Sequence, residues 1–252
     1  MGLAWLAFFD GLLAITLIAV GIIGAHFYIV PPITGFGLLA FGFLLSIIGS
    51  LAGLLAIFLT RKPERSAGRN RALAGTVICL LIAIPLFVML MGGRKHPIND
   101  ITTDFDNPPE FVFAEKLQPG RDMKYDKAKY ADKQQASYGL IGPIKERLEP
   151  SAAFERVREV AQAVPTWKIT YTDTAKNTLE AVSTSRLFHF QDDVVIQIRP
   201  TPDGESLIEM RSKSRDGIGD FGVNARRIHR FFDRVAMSRG KVEAQTPQED
   251  LP

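Results

Sequence analysis

The chain has a single cysteine, Cys79, so no intrachain disulfide can form and thiol usage says nothing of the redox compartment. Charge is almost missing from its first third. Of 30 basic and 27 acidic side chains, residues 1–93 hold only Asp10, Arg61, Lys62, Glu64, Arg65, Arg69 and Arg71, which leaves 25 of each sign to residues 94–252. The net charge of +3 therefore belongs wholly to the apolar third. The pI near 9.0 is no sign of nucleic-acid binding, because the polar remainder is neutral and lacks the broad cationic footprint that a phosphate backbone requires. So little charge over so long a stretch also excludes a purely soluble protein.

Three runs are long and apolar enough to span a bilayer as helices: Leu12–Val30, Ile33–Thr60 and Ala72–Gly92. Pro31-Pro32 ends the first and Pro85 predicts a kink in the third. The first lacks a basic flank and a small-residue cleavage site, so it reads as a retained span, with Asp10 near its start at the interface. The basic loop Arg61–Arg71 (RKPERSAGRNR) belongs in the cytoplasm by the positive-inside rule, against the opposing Arg94 and Lys95. The N-terminus is then cytoplasmic, and in a bacterial inner membrane everything after Gly93 is periplasmic. Gly42, Ser46, Gly49 and Gly53 form a stripe of small residues that suits close helix packing within the chain or, alternatively, recruitment of another membrane protein. No paired charges or repeated broken helices suggest a transport path. The region 1–93 reads as an anchor.

Beyond it, residues 94–149 are polar and rich in turn formers and read as an extended connector, docked back by Tyr138, Ile141 and Ile144. From Pro150 the periodicity is regular. Ser151 caps a helix through Phe154, Val157, Val160, Ala161 and Val164, and Pro165 ends it. Strands follow at Trp167–Thr172, within Leu179–Phe190, at Val194–Arg199 and at Ser206–Ser214, with turns at Asp192-Asp193 and Thr201–Gly204. A last helix, about Gly222–Met237, buries Ile228, Phe231, Phe232 and Val235 at helical spacing. The fold class is α+β: a mainly antiparallel sheet of about four strands packed by two helices over residues 150–239, with a disordered tail at 240–252.

The densest chemistry lies in Met210–Arg230. Arg211, Lys213 and Arg215 alternate along one strand and so share a face, which Arg199 on the neighbouring strand can join. Gly217, Gly219 and Gly222 then form a G-x-G-x-x-G ahead of the last helix, with Asp220 and Asn224 beside them. A helix start offers unpaired N–H groups to anions. The motif is not a dinucleotide fingerprint, because no βαβ unit or later acidic strand residue accompanies it. Asp220 as a helix cap, with Arg226, Arg227, Arg230 and Arg234 on a solvated face, explains the segment without a ligand. The competing reading is an anion site made of Arg199, Arg211, Lys213, Arg215, Gly217, Gly219, Asp220, Gly222 and Asn224. Catalysis has less to stand on: His189 and His229 sit among core residues, and no nucleophile elbow or helical His pair appears. His96, Asp100, Asp104 and Asp106 lack the glycine and closing glutamate of a calcium loop and read as turn formers. Neither a metal nor a cofactor is expected.

Three segments, HPINDITTDFDNPPEF at 96–111, Asp192-Asp193 followed by VVIQIRP, and RSKSRDGIGDFGVNARRI at 211–228, resemble in order the family catalogued as domain of unknown function 1499. The resemblance covers most of residues 95–237, and the three-span start resembles the family's longer proteobacterial members. Its motif positions are Pro97, Asp100, Asp193, Arg199, Arg211, Ser212, Ser214, Arg215, Gly217, Gly219, Asp220, Gly222 and Asn224. It implies a bacterial envelope protein and supplies no activity or catalytic residue. The expectation is an integral membrane protein whose outer domain binds an anionic lipid head group, a phosphate or carboxylate ligand, or an envelope protein. The alternatives are a hydrolase using His189 or His229 and a membrane-complex assembly module.

Overall fold

The computed structural model describes residues 2–62, 66–92 and 97–243. The chain divides into two compact units, residues 1–94 with 186–189 and residues 95–185 with 190–252.

The first unit is built from α1 (Gly2–His26), α2 (Pro32–Leu59) and α3 (Arg69–Gly92), all three long and apolar enough to cross a membrane. Helix α1 starts ten residues before the uncharged run that marks it in the sequence. Its opening GLAWLAFF is as apolar as the stretch after Asp10, so that residue interrupts the helix chemically without ending it. Asp10 accordingly stands eight residues, about 12 Å, beyond the first residue of α1 rather than at its start. Its Oδ2 is enclosed without a hydrogen-bond partner among the described residues. Pro85 lies inside α3, which runs on through it.

Small residues bring these helices together. A Cβ at Gly35 would lie 2.6 Å from the Gly21 carbonyl oxygen, and one at Gly75 would lie 2.5 Å from the backbone of Ala7 and Phe8. The Gly42–Gly53 stripe faces α1 and α3 in the same way: a Cβ at Gly42 would strike Ile18, and one at Gly53 would strike Thr76. Ser46, Ser50 and Thr76 are buried, and each hydroxyl donates to a carbonyl of its own helix, so none of the three is stranded at the seam.

The second unit is an antiparallel sheet with helices. Its elements are β1 (Asp100–Thr102), α4 (Phe113–Leu117), α5 (Lys127–Tyr138), β2 (Ile144–Glu146), α6 (Pro150–Gln162), β3 (Trp167–Asp173), β4 (Thr178–Thr184), β5 (Gln191–Pro200), β6 (Ser206–Ser214) and α7 (Val223–Glu243). The strands run in the order β1-β6-β5-β4-β3, with β2 also on β6. Six strands thus replace the four expected. The extra pair, three residues each, is too short for a period-two signal, and both come from the 94–149 segment read as a connector. They share one edge of β6, Asp100–Thr102 opposite Arg211–Lys213 and Ile144–Glu146 opposite Ser206–Ile208. On the free side of β1, Gln134 donates to the Thr102 carbonyl and accepts from the Thr102 N–H at 2.7 and 3.1 Å. Its amide stands in for a further strand.

One face of the sheet carries Leu179, Ala181, Val194, Ile196, Ile198, Ile208 and Met210 against α6 and α7. Helix α6 contributes Ala153, Phe154, Val157 and Ala161, and α7 contributes Ala225, Ile228, Phe231, Phe232 and Val235, each set at helical spacing. Trp167 stacks on Phe231 with ring centres 5.0 Å apart. Tyr138, Ile141 and Ile144 join this core. Pro150 occupies the first turn of α6 and Glu149 the cap position, so the helix begins slightly before the Ser151 cap expected. Asp192-Asp193, read as a turn, lies inside β5 opposite Ser214 and Lys213. Cationic partners from distant segments make strand positions tolerable for two carboxylates. The tail expected from residue 240 begins within α7, and residues 244–252 lie outside the described residues.

Candidate functional site

The sheet's second face is charged. Because side chains alternate along a strand, Arg211, Lys213 and Arg215 do share this face, as the spacing predicts. They do not stand free on it. Arg211 is 1 % exposed and forms a two-pronged pair with Asp100, Nε to Oδ1 at 2.8 Å and Nη2 to Oδ2 at 2.7 Å. Its remaining N–H groups reach the Met123 and Pro109 carbonyls at 2.8 and 3.4 Å, and Phe111 and Tyr125 cover the guanidinium. Lys213 donates to the same Asp100 at 2.9 Å. Arg215 holds Asp193 through Nη2 at 2.7 Å, and Arg121 joins from outside the sheet at 2.6 Å. Arg211 is therefore a staple that pins residues 103–125 across the sheet, and burial beside the Asp100 carboxylate pushes the Tyr125 phenol well up.

Glu180, 1 % exposed, belongs to the same layer. Its carboxylate accepts from the Val112, Phe113 and Ala114 N–H groups at 2.5, 2.9 and 2.8 Å, closing the start of α4. The basic alternation of β6 is visible in the sequence. Its partners Asp100 and Asp193, and Glu180 beside them, are not, since nothing local ties them to β6.

The glycine turn belongs to the opposite face. Asp220 accepts from Gly222 and Asn224 N–H at 2.8 and 2.6 Å and so occupies the start of α7 that an external anion would need. Burial raises the pKa of this carboxyl. Asn224 then bonds Ser212 and Ser214 at 2.7 and 2.9 Å, on the side of β6 away from Arg211. Arg227 reaches Asn224 and Asp192 there. Gly217 accepts from Asn99 Nδ2 at 2.6 Å, and Gly219 rests on Pro97. The nine residues proposed from sequence thus divide between the two faces of the sheet, Arg199, Arg211, Lys213 and Arg215 on one and the glycine turn with Asp220 and Asn224 on the other.

Arg199 is the member that opens onto a cavity. The cleft, about 410 Å³, is lined by Asp106, Asn107, Pro108, Glu110, Val112, Lys176, Thr178, Gln197 and Arg199. Arg199 donates through Nη2 to the Asn107 carbonyl and the Gln197 Oε1 at 2.9 and 3.1 Å, and its side chain remains one-third exposed. Beneath it lies Glu209, whose Oε2 is 3.0 Å from Arg199 Nε. The two are paired by charge but misaligned for a hydrogen bond, which leaves Oε2 without a donor among the described residues. Burial pushes the Glu209 pKa up to about 7, against the pull of Arg199 and with a smaller push from Asp104. Lys176, Thr178, Gln197 and Glu209 escape sequence reading because they come from separate strands and the turn before β4. Neither His189 nor His229 lines the cleft, and no cluster of three His, Cys, Asp or Glu side chains suited to a metal occurs among the described residues. His96 lies outside them.

A family profile described as "Protein of unknown function (DUF1499)" matches residues 100–235. No curated protein matches the chain. The matched span takes in β1 at one end and most of α7 at the other, so the charged face of the sheet and the Asp220–Asn224 turn both fall inside it.

Proposed function

This chain belongs to the DUF1499 family, and we propose that it is a multi-pass bacterial inner-membrane protein whose family domain is a periplasmic binding module for a small anionic ligand. The observation that carries this reading is the Arg199 cleft: a cavity of ligand size with an incompletely used guanidinium in its wall. Arg199 supplies a planar, charge-assisted donor pair for a carboxylate or phosphate. Lys176 adds a second positive charge, and the Thr178 hydroxyl and Gln197 amide add neutral polar contacts. Asp106 and Glu110 on the rim oppose ligands of high negative charge, which favours a singly charged group or one paired with an amine. The module binds without chemistry of its own.

The three apolar helices support membrane insertion, and Arg61, Lys62, Arg65, Arg69 and Arg71 between the second and third support a cytoplasmic loop there. Alkaline phosphatase fused after Ser238 is then active, and inactive when fused after Lys62. The reverse pattern places the domain in the cytoplasm and ends the periplasmic reading.

Ligand binding is tested on the full-length protein in detergent with inorganic phosphate and acetate as probes, at constant ionic strength. Either probe raises the unfolding midpoint of the wild type, and Arg199→Gln removes that rise, each protein being compared with its own ligand-free midpoint. Equal responses in wild type and Arg199→Gln, or none in either, sink the proposal. An envelope protein engaging the same charged rim is the second reading. Among the described residues neither His189 nor His229 lines this cleft, and the Gly42–Gly53 stripe is taken up between the chain's own helices, so the hydrolase and assembly alternatives draw no support from these two features.

A further inference from the structure

The turn between β6 and α7 spends backbone energy on exposing apolar side chains. Ile218 is 82 % exposed, Phe221 54 % and Val223 40 %. Phe221 has φ 52°, in the left-handed region that a non-glycine residue rarely adopts, and Gly222 follows at φ 78°. Around these tips the turn is held firmly. Asp220 N–H donates to the Ile98 carbonyl at 3.2 Å, Asn99 holds Gly217, and a Cβ on Gly222 would meet the Tyr138 ring at 3.2 Å. The turn thus holds Ile218, and more than half of the Phe221 surface, exposed on a fixed backbone.

Next to the apolar tip is a basic one. Arg226 donates to the Phe221 carbonyl at 3.0 Å and is exposed, and Arg230 and Arg234 follow at steps of four along the exposed side of α7, with Asp233 the one acidic residue among them. Chain length supplies a third argument. Helix α3 ends at Gly92, and Pro97, on which Gly219 rests, comes five residues later. Five residues reach at most about 18 Å even when fully extended. A bilayer crossed by α3 is thus always within reach of this turn, at high effective concentration.

We propose that Ile218, Phe221 and Val223, with Arg226, Arg230 and Arg234, form a lipid-facing surface that seats on an anionic phospholipid bilayer. The apolar tips enter the boundary between headgroups and acyl chains, about 5–10 Å deep in typical interfacial anchors, and the arginines pair with lipid phosphates. This surface is independent of the Arg199 cleft.

The test uses the full-length protein in nanodiscs, with an environment-sensitive fluorophore attached at Ile218→Cys in a Cys79→Ala background. The control carries the label at Asp203→Cys, an exposed position in the turn before the opposite end of β6. In discs containing phosphatidylglycerol, the label at position 218 shows blue-shifted emission and several-fold stronger quenching by spin-labelled lipid than the control. Arg226→Gln/Arg230→Gln/Arg234→Gln lowers that quenching, as do discs of phosphatidylcholine alone, while circular dichroism and the unfolding midpoint stay unchanged. Quenching at 218 no greater than at 203 overturns the proposal. A blue shift without lipid quenching overturns it too, by placing a protein against the tip. Quenching that ignores both lipid charge and the arginine variant overturns the electrostatic half.

Discussion

The helical unit and the charged face of the sheet solve the same problem in opposite ways. In the first, buried contact is made by having almost no side chain: Gly21 and Gly35 bring α1 and α2 to backbone contact, and Gly75 does the same for α1 and α3. In the second, buried contact is made by long, fully charged side chains, each matched to a carboxylate or carbonyl, with Arg211 enclosed by Asp100, Met123, Pro109, Phe111 and Tyr125. Small-residue seams are sensitive to anything added. Charged layers are sensitive to anything removed, because a lost partner leaves an uncompensated buried ion.

The largest effect should come from Arg211→Ala, which leaves Asp100 with Lys213 alone and frees residues 103–125. It is expected to cost about 3–5 kcal/mol, read from denaturant unfolding of the full-length protein in detergent. Arg215→Ala, whose partner Asp193 keeps Arg121 and whose own side chain is one-fifth exposed, should cost clearly less. Equal losses would mean the two pairs are not buried to different degrees. On the helical side, Gly75→Leu must push α1 from α3 and should cost about 1–3 kcal/mol, seen as a lower thermal midpoint, whereas Gly37→Leu, where a Cβ meets nothing, should leave it unchanged. Glu180→Gln, which keeps the shape but loses the charge beneath three N–H groups, should cost about 1–2 kcal/mol.

Glu209 should move the other way. Its folded pKa, about 7, lies above the roughly 4.3 of an unfolded glutamate. Between those values the folded state keeps a proton that the unfolded chain has released, so stability falls as pH rises through that window. Glu209→Gln should flatten the dependence and be the more stable protein at pH 8, with the difference gone below about pH 4. A variant whose pH profile parallels the wild type would show that Arg199 already compensates the charge.

Legibility in the sequence divides along the same line. The apolar runs, the alternation of β5 and β6 and the stripe of α7 are local periodicities and survive into the structure. The three-residue strands β1 and β2 carry no period, and Asp192-Asp193 looks like a turn because Arg215, Arg121 and Arg227 cannot be seen from the strand itself. The proposed site suffered similarly. Arg199, Arg211, Lys213 and Arg215 were visible as cations, but their carboxylates lie up to 113 residues away, and the turn placed after them points to the other face of β6.

The Asp100–Arg211 clasp also has a consequence in time. Its halves are separated by 111 residues, so a chain made from its N-terminus holds Asp100 ready long before Arg211 exists. At about 5–20 residues per second that delay is roughly 5–20 s, during which the 97–125 segment has no sheet edge to join and its carboxylates stay hydrated. The domain can close only once β6 has been synthesised, and the first strand to emerge is among the last to be secured.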